Sequence, residues 1–442
     1  MKKRIKQIKS QLFKIISEID QYKWMFCRNP ETDFTRNRKW SFEDAMLSIL
    51  HMGCESMNRE LLRYFGFGKK KDVPTVSSFI QRRNRILPEA FQFLFFQATE
   101  SVCRPKTYKG FRLLACDGSD INIPHNPDDK TTYFQSATGA KGFNQLHLNA
   151  LYDLLGGFYQ DAIIQPARNE NEYRAACEMT DRYKGEPAIF IADRGYESFN
   201  LFAHVIENNQ KFLVRCKDIK SSGIMNGLLR RRMVPESGSF DKWIELIFTR
   251  RQTAEVRQHP EIYRVLPSNT IFDYLPKEDK VNLYKMRFRV LRFLISEGTY
   301  ECIITNLPDS FPIEDIKKLY CMRWGIETSF RELKYVEGLV NIHSRKMDFI
   351  LQEIWCRLTM HNLYTAILAA AACQKSSETY VYQVNYTRAA IICKEFLFTK
   401  RGASPPDVEK LLRMEMLPVR PGRHDKRKLK SQSFRSFLYR AA

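Results

Sequence analysis

The segment FRLLACDGSD, residues 111–120, is a run of apolar residues that ends in an aspartate followed by glycine. The segment PAIFIADRGY, residues 187–196, has a similar pattern, with Asp193 in the place of Asp117 and a glycine two residues later. A short continuous apolar run is typical of a buried strand, and the acid after it marks where the strand leaves the sheet. Ligand sites in sheets covered by helices form beyond such strand ends, so we expect the two carboxylates to lie close together. The plainer alternative is that each aspartate caps a turn.

The segments around these runs predict the fold class. Residues 145–167, QLHLNALYDLLGGFYQDAIIQPA, have the pattern of two strands around a Gly-Gly hairpin turn. Helical patterns then alternate with the apolar runs at 187–196 and 211–217. Strands that first form a meander and then alternate with helices predict an α/β fold, in which helices cover a mixed sheet.

Two further regions have patterns of their own. Residues 1–105 have the apolar spacing of helices, with Ser41 as a plausible N-cap. The region before residue 311 contains short strand patterns separated by polar turns. The resulting division comprises a helical N-terminal domain that we expect to bind DNA (1–105), a core (106–217 and 311–375), a β-strand insertion (218–310) and a basic C-terminal region (376–442).

A third stretch, YCMRWGIETSFRELK, places charged residues and a phenol among apolar neighbours. On a continuous helix, four of these residues would share a stripe about 60° wide: Tyr320, Arg323, Glu327 and Lys334. The nearby Glu332 falls on a different face of that helix. The stripe presents one carboxylate among cationic and phenolic donors. Taken alone, it could also be a surface stripe of salt links.

The composition limits the class of partner. The chain has 442 residues and a formal net charge of +21, and such an excess of positive charge indicates a polyanionic partner, with nucleic acid as the first candidate. A membrane surface is the alternative, but the longest uncharged stretch, 358–374, falls short of about 20 apolar residues and favours a buried helix. The 11 cysteines are scattered without a CxxC pair, which predicts reduced thiols in a cytosolic protein.

The three acids have a common chemical interpretation. Carboxylates brought together repel one another, so Asp117, Asp193 and Glu327 would hold metal ions. Hard oxygen ligands suit Mg²⁺ or Mn²⁺. Two such ions about 4 Å apart activate an attacking oxygen and stabilise a leaving oxygen at a phosphodiester.

Three motifs of the sequence resemble those of a known family. CDGS around Asp117, IADRGY around Asp193 and the spacing Y-x2-R-x3-E-x6-K from Tyr320 to Lys334 are similar to the DDE transposases of bacterial insertion sequences, and more closely to insertion-sequence family four with its Y-R-E-K signature. The resemblance covers residues 110–340. It implies a ribonuclease H-like catalytic core, interrupted before the third acid by a β-rich insertion.

The resemblance also implies roles for individual residues. Asp117, Asp193 and Glu327 would be the catalytic ligands of two Mg²⁺ (or Mn²⁺) ions. The residues expected at the phosphates of the transposon end are Tyr320, Arg323 and Lys334. The partner would be double-stranded DNA, as both transposon end and target, with a homodimer in the DNA complex and no membrane. The expected place is the bacterial cytoplasm, at the nucleoid.

Other residues carry weaker signals. Tyr300, just before an apolar strand, could stack a displaced base, although aromatic residues are common at strand starts. Asp120 should face away from Asp117 if the strand continues. His147 is interpreted as a core histidine or a support for the acids rather than a metal ligand.

Several basic segments could follow DNA phosphates or be solvated. They are Arg82, Arg83 and Arg85 on a predicted helix, the run 230–232, and the tail 420–442.

Two other function classes compete with a metal-dependent transposase. A DNA-binding protein without catalysis, derived from a mobile element, is one, but all three acids and the Y-R-E-K spacing are present. A nuclease on the same core is the other, but such a core needs neither the long insertion nor the N-terminal helices.

Overall fold

The computed structural model describes residues 2–36, 40–68, 72–135, 141–371, 375–376, 380–399, 403–414 and 416–419. The basic tail predicted to follow DNA, 420–442, lies outside the described residues.

The helices are Lys2–Gln21 (α1), Phe42–His51 (α2), Met57–Tyr64 (α3), Val76–Arg83 (α4), Glu89–Val102 (α5), Glu172–Arg182 (α6), Phe199–Glu207 (α7), Ile224–Arg230 (α8), Ala254–Gln258 (α9), Ile313–Met322 (α10), Trp324–Tyr335 (α11), Met347–Ala371 (α12), Tyr386–Phe398 (α13) and Val408–Met414 (α14). The strands are Arg112–Ile123 (β1), Tyr133–Phe134 (β2), Phe143–Asp153 (β3), Phe158–Pro166 (β4), Ala188–Ala192 (β5), Lys211–Cys216 (β6), Phe240–Thr249 (β7), Tyr263–Val265 (β8), Leu283–Ser296 (β9), Thr299–Thr305 (β10), Lys375–Ser376 (β11), Val381–Val384 (β12) and Met416–Val419 (β13).

Five strands form the centre of the main sheet, in the order β4-β3-β1-β5-β6. The first three are antiparallel neighbours, with a short turn between β3 and β4 and a longer connection that contains β2 between β1 and β3, and β5 and β6 run parallel to β1. The parallel pair is joined through α7, and β5 is buried at every residue, as expected for a strand covered on both faces. This topology confirms the predicted α/β class with a ribonuclease H-like mixed sheet.

The sheet continues beyond β6 through strands of the region 218–310. Strand β10 pairs antiparallel with β6, and β9, β7 and β8 follow it in order. The strands predicted in that region are therefore present, and they extend the central sheet instead of forming a separate one. Whether the chain divides into domains at the predicted boundaries stays a prediction.

The N-terminal helices pack against α12 in one hydrophobic core. Fully buried leucines contribute to this core, among them Leu12 of α1, Leu94 of α5 and Leu363 of α12. Ser41 caps α2 as predicted, because its hydroxyl accepts a hydrogen bond from the backbone N–H of Asp44 at 2.9 Å. The apolar stretch predicted as a buried helix lies largely in α12, and no described helix has the length and apolarity needed to cross a membrane.

Three predicted elements have different boundaries. Strand β1 does not end at Asp117, because its pairing with β3 continues to Ile123 opposite Asn144. The helix expected over 320–334 is interrupted at Arg323, whose N–H bonds the carbonyl of Tyr320 three residues earlier in a tight turn.

The third difference concerns the basic helix near residue 83. Helix α4 ends at Arg83, five residues before Pro88, and a separate helix, α5, begins at Glu89. Arg83 does not face solvent: it is fully buried, and its guanidinium donates to Gln352, Glu353 and the carbonyl of Phe349. Both interpretations of Arg83, as a DNA contact and as a solvated residue, are therefore wrong.

Candidate active site

Two of the predicted acids are brought to the same level of the sheet by strand pairing. In the parallel pair of β1 and β5, Cys116 lies opposite Ala192. The next residue on each strand path is an aspartate, Asp117 or Asp193. Asp117 is within β1, whereas Asp193 follows β5 and begins a short 3-10 turn. The carboxylates are therefore placed side by side by the register of the two strands. They do not both mark the end of a strand, contrary to the prediction from the sequence pattern.

The turn between α10 and α11 links all three acids. The guanidinium of Arg323 lies 2.8 Å from the Glu327 carboxylate and 3.7 Å from that of Asp117. The Tyr320 hydroxyl donates to Asp193 at 3.4 Å. Arg323 is buried, and its Nε makes no hydrogen bond. The structure thus brings together Asp117, Asp193, Glu327, Tyr320 and Arg323, with the guanidinium as the cation between two of the acids.

The electrostatics of this cluster favour a positive ion. Burial raises the pKa of Asp117 to about 6, and the charges of Glu327 and Glu172 act in the same direction. The N–H of Gly118 and the guanidinium of Arg323 oppose this shift. Burial, and then the charge of Asp193, raise the pKa of Tyr320. A carboxylate in this environment is stabilised by a cation held close to it.

The fourth residue of the stripe lies beside the cluster. The Lys334 ammonium donates to the Ser119 hydroxyl at 2.8 Å, two residues along β1 from Asp117. Burial lowers the pKa of Lys334. The position of Ser119 on β1 puts this contact on the same face of the sheet as Asp117, because residues two apart on a strand face the same side.

Tyr300 is not part of this group. It precedes Glu301 on β10, and its ring is covered by the Arg292 guanidinium 3.6 Å from the ring centre. The structure places Tyr300 on the side of the sheet where Arg292 bonds Asp218. The base-stacking role of Tyr300 stays a prediction.

Two residues near the acids had no signal in the sequence. Arg215 on β6 pairs with Glu301 at 3.1 Å and lies 6.0 Å from the ring centre of Tyr320. Glu172, the first residue of α6, acts on the pKa of Asp117. Neither belongs to a recognisable motif, since each is placed by sheet register or helix docking.

A second polar group lies on the opposite face of β1. Asp120 pairs across the strands with His147, and the two side chains bond at 2.9 Å, so Asp120 faces away from Asp117 as predicted. Among the described residues, Asp120, His147 and Glu170 form a group whose possible ligand atoms all lie within 4.8 Å of one another. Burial lowers the pKa of His147, but the neighbouring Asp120, Glu172 and Glu170 outweigh it and raise the pKa to about 9.

Comparison with known proteins identifies the family. A family described as "Transposase DDE domain" matches residues 108–363, more than half of the chain. The chain belongs to this transposase family. The match includes both aspartates, Glu327 and the residues around them, and it confirms the family resemblance, while the Y-R-E-K signature itself stays a prediction.

Two bacterial transposases and one solved structure are similar to this chain. The transposase is 22% identical over 348 residues to the transposase InsG of insertion sequence element IS4 from Escherichia coli K12, covering 76% of this chain and 71% of InsG. It is 19% identical over 314 residues to the transposase of insertion sequence element IS1151 from Clostridium perfringens, covering 66% of this chain and 64% of that relative. A solved synaptic complex of piggyBac transposase with hairpin DNA is similar at a TM-score of 0.45 and 12% identity, covering 92% of this chain and 83% of that one.

Proposed function

We propose that this transposase uses Asp117, Asp193 and Glu327 to hold two Mg²⁺ (or Mn²⁺) ions at the end of an insertion sequence. One observation carries the proposal: strand register places Asp117 and Asp193 side by side, and Arg323 joins Asp117 to Glu327. The donors fit such ions, because all three are carboxylates, and burial, together with the charges of Glu327 and Glu172, raises the pKa of Asp117. When bound, the ions would polarise the scissile phosphate and activate the attacking oxygen.

The side chains around the acids would hold the DNA strand. Arg323 can exchange its contact with Asp117 for a phosphate oxygen, since both are anionic oxygen acceptors. Tyr320 supplies a hydroxyl donor next to Asp193, and Lys334 supplies a charge beside Ser119. These contacts orient the backbone at the acids without reading base sequence.

The proposed reaction has two phosphoryl-transfer steps. Water attacks the phosphodiester at the element's end and breaks its P–O3′ bond, which frees the 3′ hydroxyl of the element and leaves a 5′ phosphate on the flanking DNA. That hydroxyl then attacks a phosphodiester of the target, forms the new P–O bond and releases the target's own 3′ hydroxyl. Neither step needs a covalent bond between protein and DNA. The chain's contribution is to orient the strand and to stabilise charge at the phosphate.

The finer assignments belong to the same proposal. Two element ends must be brought together for transposition, so a homodimer would form on the double-stranded DNA. This complex would lie at the nucleoid in the bacterial cytoplasm. The helical region 1–105 would form a DNA-binding domain. The region 218–310 would be an insertion in the catalytic core. Tyr300 would receive a displaced base on the ring face that Arg292 leaves uncovered.

A cleavage assay tests the assignment. Labelled DNA with the element's own ends is incubated with the full chain in Mg²⁺, Mn²⁺ or EDTA, using wild type, Asp117→Asn, Asp193→Asn and Glu327→Gln. Glu332→Gln is the matched control, because it makes the same change on the same helix and Glu332 is not among the acids joined by Arg323.

The expected result is nicking at the element boundary that requires metal and persists in Glu332→Gln. Each of the other three variants should lose at least about 100-fold in rate while still binding DNA. Cleavage that survives Glu327→Gln would show that the wrong acid is assigned. Specific binding without cleavage by wild type would favour the non-catalytic alternative, and cutting without joining would favour the nuclease.

A further inference from the structure

A buried histidine with three carboxylates around it lies behind the candidate active site. Nδ1 of His147 is 2.9 Å from Asp120 Oδ1 and 3.0 Å from Glu170 Oε2, and Nε2 is 3.0 Å from Glu172 Oε1. The side chain of His147 is only 6% exposed, whereas the three carboxylates are 35–42% exposed. The cluster therefore opens to solvent through its acids and not through its imidazole.

His147 is not a satisfied core histidine. Nδ1 carries at most one proton but faces two carboxylate oxygens at hydrogen-bond distance. One of the two carboxylates at Nδ1 is therefore left without a proton to share. Nε2 is fully buried and makes no hydrogen bond, although the Glu172 oxygen is 3.0 Å away.

The backbone of β1 makes room for this cluster. A Cβ atom at Gly118 would lie 2.2 Å from His147 Nε2 and 2.6 Å from Glu172 Oε1. The imidazole and the carboxylate thus pack directly against a residue without a side chain. The position next to Asp117 therefore has to be glycine if His147 and Glu172 are to lie against this face of the strand.

We propose that Asp120, His147 and Glu170 bind one divalent first-row transition metal ion, separate from the ions of the catalytic acids. Ligand atoms about 2.1 Å from an ion and at right angles to one another are about 3.0 Å apart, which matches the spacing of Nδ1 from the two carboxylate oxygens. Ligation through Nδ1 fixes the ring proton on Nε2, beside the Glu172 carboxylate. The mixed set of one imidazole and two carboxylates suits Mn²⁺ or Zn²⁺ better than Mg²⁺.

Such an ion would fasten three elements at one point. Asp120 belongs to β1, His147 to β3, and Glu170 precedes α6. Asp117 lies three residues before Asp120 on β1, with its side chain on the other face. The ion would therefore hold the strand that carries the first catalytic acid without contacting the DNA, which makes its ligands positioning residues.

Nitrogen coupling distinguishes this site from the catalytic acids, which offer only oxygen. The experiment loads the full chain with Mn²⁺ alone, in a background of Asp117→Asn, Asp193→Asn and Glu327→Gln. Electron spin-echo spectroscopy then detects any ¹⁴N nucleus bound to Mn²⁺, and titration gives the affinity. Because the background lacks the catalytic acids, the outcome is independent of the function proposed above.

The matched control is His204→Gln. His204 is also buried between carboxylates, but both of its ring nitrogens make hydrogen bonds, to Asp181 and Asp273 at 2.9 Å. We expect ¹⁴N coupling in the background protein and in its His204→Gln form, and its loss in His147→Gln. Glu170→Gln, a change at a half-exposed side chain that leaves folding intact, should weaken Mn²⁺ binding at least about tenfold.

Three results would overturn the proposal. One is the absence of Mn²⁺ binding by the background protein up to about 1 mM, far above the concentrations at which a protein site is useful. The second is bound Mn²⁺ without nitrogen coupling. The third is coupling that persists in His147→Gln. Any of them would leave His147 as an imidazolium held by its carboxylates.

Discussion

Replacing Arg83 by methionine separates a structural arginine from a DNA-binding one. In the structure, Arg83 donates to Gln352 at 2.8 Å, to Glu353 at 3.0 Å and to the Phe349 carbonyl at 2.7 Å. Its guanidinium also stacks 4.5 Å from the ring centre of Phe349. Methionine keeps much of the aliphatic volume but removes every one of these donors.

The size of the effect follows from what remains around Glu353. Removing one partner of a buried ion pair costs about 3–5 kcal/mol, because the other charge stays buried. Glu353 keeps His343, whose imidazole and backbone N–H both bond its carboxylate. We therefore expect Arg83→Met to lower the free energy of unfolding by about 3 kcal/mol, the lower end of that range.

Urea unfolding of the full chain measures this loss, with Arg82→Met as the control. Arg82 is adjacent in sequence and only partly buried, so its loss should cost less than about 1 kcal/mol. Without urea, folded Arg83→Met should bind DNA within about twofold of wild type, since the Arg83 guanidinium is fully buried and its hydrogen bonds all go to groups of α12. Stability within about 1 kcal/mol of wild type, combined with lost DNA affinity, would refute the reasoning.

Three further predictions concern other residues of the structure. Burial raises the pKa of Glu337 from 4.5 to about 7, so the folded protein retains a proton that the unfolded chain releases, and stability falls as the pH rises from about 4.5 through 7. Glu337→Gln should therefore be about 3 kcal/mol more stable than wild type near pH 8.5 and show no gain near pH 4. If thermal unfolding found the variant and wild type equally stable at both pH values, this prediction would be contradicted. Gly118→Ala should lower the free energy of unfolding by about 1–3 kcal/mol, because the new methyl group would overlap His147 and Glu172. A variant that unfolds at the same urea concentration as wild type would refute the overlap. Lys334→Met should weaken binding to element ends of any sequence and reduce the salt dependence of the affinity by about one charge, as measured by titration at several salt concentrations, and an unchanged salt slope would exclude a phosphate contact.

The strands of the central sheet could be predicted because their apolar character is local. The buried run of β5 and the Gly-Gly turn between β3 and β4 are visible in a few consecutive residues. The full length of β1 could not be predicted, because the residues after Asp117 are mostly polar and are kept in the strand by pairing with β3. The burial of Arg83 depends on partners on α12 more than 260 positions later, and no local pattern reports such a contact.

The candidate site was predicted in its residue types more than in its arrangement. The motifs contain the three acids with their basic and phenolic neighbours, and the structure gathers the three acids, Tyr320 and Arg323 in one cluster. The guanidinium's place between Asp117 and Glu327 follows from the break between α10 and α11, which the continuous apolar spacing conceals. The group around His147 needs the exact pairing of two strands, and the sequence offers only alternation to indicate which residues share a face.

The continuity of the sheet from β6 to β10 limits how this protein can be shortened. A minimal core that lacked the whole region 218–310 would expose the edge of β6, because β10 supplies its partner on that side. Unpaired edges of this kind recruit strands from other molecules, so such a truncation should aggregate. We expect shortening to be tolerated at the far end, where β8 is the last strand of the sheet and the segment 250–262, which contains α9, joins β7 to β8. A shorter version of this transposase must therefore keep β10 and β9, and residues should be removed only from the β8 end of the sheet.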